Sequence, residues 1–161
     1  MINMAVNNCY LRKIQIRSLP CNFCILLTAS FIFFTPVAYS AQPTRVCFQN
    51  NCVKVETANT DIKRARGLQG RDSLEAGQGM LFIFPQESGY DFWMKDTLIP
   101  LDMIWMDKHF KVVDVKENVP PCEKDPCEVY VPIAVAKYVL EINAQGAKNY
   151  GIKIGDAAVF K

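Results

Sequence analysis

The sequence predicts a mainly β, single-domain fold of barrel or sandwich type with one or two short helices. Three observations carry that expectation. Strand-like runs recur at intervals of about ten residues, with turn residues between them. Helical stretches are too few and too short for repeated βαβ units. No internal repeat, low-complexity tract or long linker divides the chain after its first forty residues.

Those first forty residues read as a leader. Arg12, Lys13 and Arg17 give a basic start, Cys24–Phe34 is an apolar run, and Ala38-Tyr39-Ser40 places small residues at both positions of an A-x-A-like cleavage site. The run is shorter than the roughly 20 apolar residues of a spanning helix. Cleavage near Ser40/Ala41 is therefore expected, with residues 1–40 a signal peptide, residues 41–161 the mature domain, and a periplasmic or secreted destination. The full chain has 18 basic and 16 acidic residues. Without the leader the balance is 15 to 16, a net charge of −1. That balance gives no reason to expect nucleic acid or an anionic membrane as a partner, and no membrane span is expected after cleavage.

The elements follow in order. Arg45–Phe48 and Cys52–Glu56 read as strands around a Gln49-Asn50 turn. Asn59 or Thr60 can cap a short helix over Asp61–Gln69, which Gly67 and Gly70 end. Gly79–Phe84 is an apolar run that Pro85 stops. Tyr90–Lys95 and Leu101–Met106 are two more. Asp107-Lys108-His109 turns into Phe110–Val115 as a hairpin. After a proline-rich loop come strands Val129–Val131 and Tyr138–Asn143. Ala144–Tyr150 is one or two helical turns stopped by Gly151, and Ala157–Phe160 is a last strand.

Four of the seven cysteines lie beyond the leader: Cys47, Cys52, Cys122 and Cys127. An even number in an exported domain points to disulfides. A two-residue hairpin turn sets Cys47 opposite Cys52 at a non-hydrogen-bonded pair, with Cα atoms about 4.5 Å apart and within disulfide reach. Pro120, Pro121 and Pro126 crowd the second pair into a disulfide-closed loop. Neither C-x4-C spacing suits a zinc site or a C-x-x-C redox motif.

With these motifs in view, the chain resembles the bacterial and archaeal family known as domain of unknown function 192. The resemblance rests on Arg64–Arg71 (RARGLQGR), Gly79–Phe84 (GMLFIF), Phe92–Asp102 (FWMKDTLIPLD) and Tyr138–Ala144 (YVLEINA), with Gly151-Ile152 and Gly155-Asp156. It covers about Val53 to Phe160. It implies a compact, mostly β fold and fits export, and it implies no reaction. The chain departs from the pattern at Asp96, where Asn is usual, at Gln69, where Met is usual, and at Gln145, where Gly is common.

Candidate site residues come from the charges set among the apolar runs. A charge there must be neutralised, paired or turned outward. Asp102 projects to the face opposite Leu101 and Met103, and is expected to be buried and paired with Arg64, Arg71 or Lys95. Arg64 and Arg71 fall on one face if the short helix continues that far. Together with Asp96 and Trp93 these residues form the expected ligand-binding cluster, suited to a small anion because Arg offers a bidentate fork. A structural role for the same cluster is the competing expectation. Trp93 and Trp105 read as core residues; a ring exposed beside Lys95 would instead be a ligand platform.

Nucleophilic catalysis has little support. His109 sits in a turn, and no serine lies in a G-x-S-x-G context. Met80, Met94, Met103 and Met106 suit Cu(I) in ligand type, but read as core filler, since Met103 and Met106 point to opposite faces of a strand. No cofactor or metal is expected. The leading functional expectation is a non-catalytic binding or accessory module of the cell envelope, with a small anionic ligand or an envelope protein as partner. The alternatives are a small hydrolase or lyase using the same cluster, and a structural assembly partner.

Overall fold

The computed structural model describes residue 42 and residues 44–161. The expected leader and its cleavage point lie outside the described residues. A curled seven-stranded sheet, half of a barrel, dominates. Its strands are β1 (Arg45–Phe48), β2 (Asn51–Ala58), β3 (Gln78–Ser88), β5 (Leu101–Met106), β6 (Val112–Val119), β8 (Ala136–Asn143) and β9 (Ala158–Phe160). They run in the order β6-β5-β8-β3-β2-β1-β9. A separate two-stranded ribbon pairs β4 (Phe92–Trp93) with β7 (Val129–Tyr130). Two short helices complete the fold, α1 (Asp61–Arg66) and α2 (Gly146–Tyr150). No described helix is long and apolar enough to cross a membrane.

Both faces of the sheet are covered. Val46, Phe48, Val53, Leu81, Ile104, Met106, Leu140 and Ile142 fill one side. Leu68, Met80, Phe82, Met94, Leu101, Met103, Trp105 and Val139 fill the other. All six residues of β5 are buried in consequence. The sheet's edges approach at one end, where Lys111 bridges Ala157 and the Ala158 amide donates to the Phe110 carbonyl at 2.8 Å. Gly79, on β3, is required by a close approach: a Cβ there would lie 2.5 Å from the Glu141 carbonyl oxygen of β8.

Several boundaries differ from those expected. Helix α1 is capped by Thr60, whose hydroxyl accepts from the Lys63 amide, but it stops at Arg66 because Gly67 leaves helical geometry at φ 48°. Arg71 therefore does not continue the helical face of Arg64. Strand β3 passes Pro85 and reaches Ser88, with an irregularity between Ile83 and Ser88 that absorbs the missing proline N–H. The run Tyr90–Lys95 shortens to β4, and β6 starts later and runs further than Phe110–Val115. Strands β2 and β3 pair in parallel, joined by α1 in a single β-α-β crossover.

The cysteines pair as expected. Cys47 and Cys52 face each other across the β1–β2 hairpin with Cα atoms 4.0 Å apart. Cys122 and Cys127 close the proline-rich loop. The methionines also behave as filler: Met103 and Met106 are both fully buried, on opposite faces of β5.

Asp102 corrects the sequence reading. It is fully buried, as expected, but no described cation pairs with it. Its carboxylate accepts from three backbone amides: Asn118 at 2.8 Å, Gln145 at 3.1 Å and Ala147 at 2.8 Å. The cause is the alternation of β5. Asp102 shares the Ile104–Met106 face, whereas Arg64, Arg71 and Lys95 lie beyond the other face, against Met80 and Phe82. The three amides come from the irregular β5–β6 pairing and from the start of α2. A carboxylate suits a helix N-terminus, where amides lack intrahelical acceptors.

Asp102→Ala leaves three amides without their acceptor, one of them on the buried Ala147, and about 2–4 kcal/mol of unfolding free energy is expected to be lost in urea titrations. Gln145 precedes α2 at φ 69°, a left-handed backbone that a side chain disfavours. Gln145→Gly is expected to stabilise the protein by about 1 kcal/mol in the same assay, because Gly adopts that geometry without strain.

Candidate functional site

The second face of the sheet carries one acid the sequence reading did not single out. Glu141 lies on β8 between Met80 of β3 and Met103 of β5, its direct cross-strand neighbours. It is 5 % exposed, and its carboxyl has no hydrogen bond or ion pair among the described residues. Burial alone pushes its pKa up to about 8, so it is protonated at neutral pH. The residue nevertheless borders an opening between the sheet and the segments laid over it. That opening is a small cavity of about 40 Å³.

Four segments build the cavity: Arg64–Gln69, Phe82, the stretch containing Phe92, Trp93, Lys95 and Thr97, and Glu141 itself. Every one of these residues falls inside the four strings that carry the family resemblance. Trp93 stands at the cavity with 55 % of its surface exposed, opposite Val129 on the ribbon. The expectation that both tryptophans are core residues therefore holds only for Trp105, which is fully buried and donates its indole N–H to the Tyr90 carbonyl at 2.9 Å. Trp93 is the exposed ring beside Lys95.

Hydrogen bonds hold the walls together. The Gly70 amide donates to the Asp96 carbonyl at 2.8 Å, tying the loop after α1 to the turn after β4. Asp96 sits in that turn at φ 55°, which Asn and Asp tolerate better than most residues. Its side chain faces outward, so its role is the turn. Arg64 donates to the Ile83 carbonyl at 2.7 Å, pairs with Asp61 and lies over the Phe84 ring. It braces the wall rather than reaching for a ligand. Lys95 pairs with Asp125, whose hydrogen bond holds the Lys95 pKa above its ordinary value. Asp125 belongs to the loop closed by Cys122–Cys127, so that disulfide positions the counter-ion of a cavity residue.

Of the predicted cluster, then, Arg64, Trp93 and Lys95 meet at one cavity. Arg71 lines a neighbouring, larger basin and makes a bidentate pair with Glu56 at 2.6 and 2.7 Å. That pair holds the Glu56 carboxyl below its ordinary pKa. Asp102 lies across the sheet. Glu141 was legible by the same argument that picked out Asp102, a single charge inside an apolar strand run (Val139-Leu140-Glu141-Ile142). His109 is exposed in its turn, and its amide donates to Asp107.

Known proteins can be set beside this geometry. The family model described as Uncharacterized ACR, DUF192, matches residues 44–160. The chain belongs to this family. A UPF0127 protein of Pyrococcus abyssi is 34 % identical over 108 residues, 64 % of this chain and 82 % of that protein. A UPF0127 protein of Pyrococcus horikoshii is 33 % identical over 93 residues, covering 55 % and 70 %. Among solved structures, a Sinorhizobium meliloti protein described as a "putative transcription regulator" matches with a TM-score of 0.68 at 27 % identity, covering 76 % of this chain and 98 % of that one. A protein of unknown function from Novosphingobium aromaticivorans matches with a TM-score of 0.67 at 29 % identity, covering 78 % and 89 %. The two solved structures share the β fold of this chain.

The raised pKa of Glu141 has a stability consequence. The folded carboxyl holds its proton up to about pH 8, whereas the unfolded one releases it near 4.5. The native state therefore binds more protons in that window, and stability falls as pH rises through it, by roughly 5 kcal/mol at most. Glu141→Gln is expected to flatten that slope and to be the more stable form above pH 8, measured by urea unfolding across the window.

Proposed function

We propose that this DUF192 protein is a non-catalytic binding module of the cell envelope, and that its site takes a ring-bearing small anion. The exposed Trp93 ring beside the buried Glu141 carboxyl carries the reading. Trp93 offers a flat apolar face for the ring. Lys95 and Arg66 line the same cavity and supply positive charge, and Arg66 makes no ion pair among the described residues. Neutral Glu141 offers an O–H donor to an anionic or hydroxyl oxygen, worth more inside an apolar wall than in water. The envelope address is supported by the leader expected from the sequence and by the two disulfides, which suit an oxidising compartment.

Acid–base catalysis is the second reading, because a carboxyl with a pKa near neutrality suits a general acid. The cavity lining argues for binding instead. Among the described residues it contains no serine, cysteine or histidine and no second acid.

The test is calorimetric binding of sugar acids and aromatic carboxylates to the purified protein. Trp93→Ala is expected to weaken binding by roughly tenfold, the effect of about 1.4 kcal/mol of lost stacking. Affinity should fall as pH rises through about 8, when Glu141 becomes negative beside an anionic ligand. Glu141→Gln should keep binding and lose that pH dependence. Turnover of a bound sugar acid that disappears in Glu141→Gln would instead favour the catalytic reading.

A further inference from the structure

The Glu141 cavity admits one functional group, not a whole ring: about 40 Å³ is room for a few water-sized groups. Beside it lies a basin of about 600 Å³, a size that accommodates an entire ligand. The two cavities share Arg66, Gly67 and Gln69. Gly67 thus stands at the divide. It has no side chain to block a passage, and a Cβ there would meet the Phe82 ring at 3.3 Å, so the backbone lies low over the core.

The basin is basic. Lys63 and Arg66 reach it from the last turn of α1, both exposed and neither in an ion pair among the described residues. Arg71 adds a third cation, matched by Glu56, the one acid of the lining. Ala58 and Met80 give the basin an apolar floor. Positive charge therefore continues past the Glu141 cavity, over a surface much larger than a small anion would cover.

We propose that the two cavities are consecutive subsites for one elongated acidic saccharide. One unit stacks on Trp93 and sends a polar group to Glu141. The chain then crosses at Gly67, and a second acidic unit lies in the basin against Lys63. Acidic sugars fit both surfaces, since each unit carries an apolar ring face for Trp93 or Met80 and a carboxylate for the cations. This inference rests on the binding reading of the Trp93 and Glu141 site and extends it.

The experiment titrates the purified protein with galacturonate, with its linear trimer, and with a neutral galactose trimer. The acidic trimer is expected to bind at least roughly tenfold tighter than the monomer. Lys63→Glu should abolish that gain and leave monomer affinity unchanged, while Trp93→Ala weakens both ligands. Equal affinity for monomer and trimer, with Trp93→Ala still weakening both, would overturn the second subsite and leave the first standing. A neutral trimer that binds as well as the acidic one would overturn the ligand class. If no galacturonate binds, or if Trp93→Ala changes nothing, the primary site and its extension both fall.

Discussion

Strand β5 and the stretch Val139–Ile142 of β8 are covered on both faces, so a charge carried there has no route to bulk water except through the packing around it. The two acids at their centre meet this constraint differently. Asp102 is surrounded by three amide donors and becomes a structural bolt between β5, the irregular part of β6 and the start of α2. Glu141 has methionines on either side and no described donor, so it resolves the same difficulty by keeping its proton. Asp114, a third buried acid, is answered by the Lys116 ammonium at 2.9 Å and the Ile133 amide at 3.0 Å. Glu141 alone of the three lines one of the described cavities, and that difference marks the face proposed to take a ligand.

The sheet gives the cavity only Phe82 and Glu141; the rest of its lining is laid over the sheet: the end of α1 and the loop after it, the ribbon strand β4 and the turn that follows it. These pieces are cross-linked to one another by Gly70–Asp96, by Arg64–Ile83 and by Lys95–Asp125. The Cys122–Cys127 loop is part of this scaffold, since its Cys122 amide also donates to the Met94 carbonyl. Rigid walls of this kind lower the ordering cost of ligand binding. They also explain why the family strings are spaced so widely along the chain: each string supplies one wall.

Much of the fold could be read directly. The apolar runs, the hairpin that sets Cys47 against Cys52, the Thr60 cap and the opposite facing of Met103 and Met106 all follow from local periodicity and turn chemistry. Other features depended on distant partners. Pro85 does not end β3, because an irregularity in its pairing with β8 tolerates the missing donor. Tyr90–Lys95 looks like a full strand, but only two of its residues find a partner. The left-handed positions Asp96 and Gln145 coincide with two of the three departures from the family pattern, at places where Asn and Gly are usual. Those departures are therefore conformational, and the extra charge at Asp96 points away from the cavity.

By itself the sequence determined the β class, the pairing of the cysteines at Cys47–Cys52, the family and the burial of Asp102, because each depends on neighbours a few residues away or on a contiguous string. It also picked out Arg64, Trp93 and Lys95, which the fold brings to one cavity. Only the tertiary structure decided that Asp102 and those cations lie on opposite sides of one sheet, that Trp93 is open while Trp105 is sealed, and that Glu141 is the acid facing the cavity. Strand alternation says which residues share a face, but which face receives the covering loops is settled by packing between segments up to about eighty residues apart.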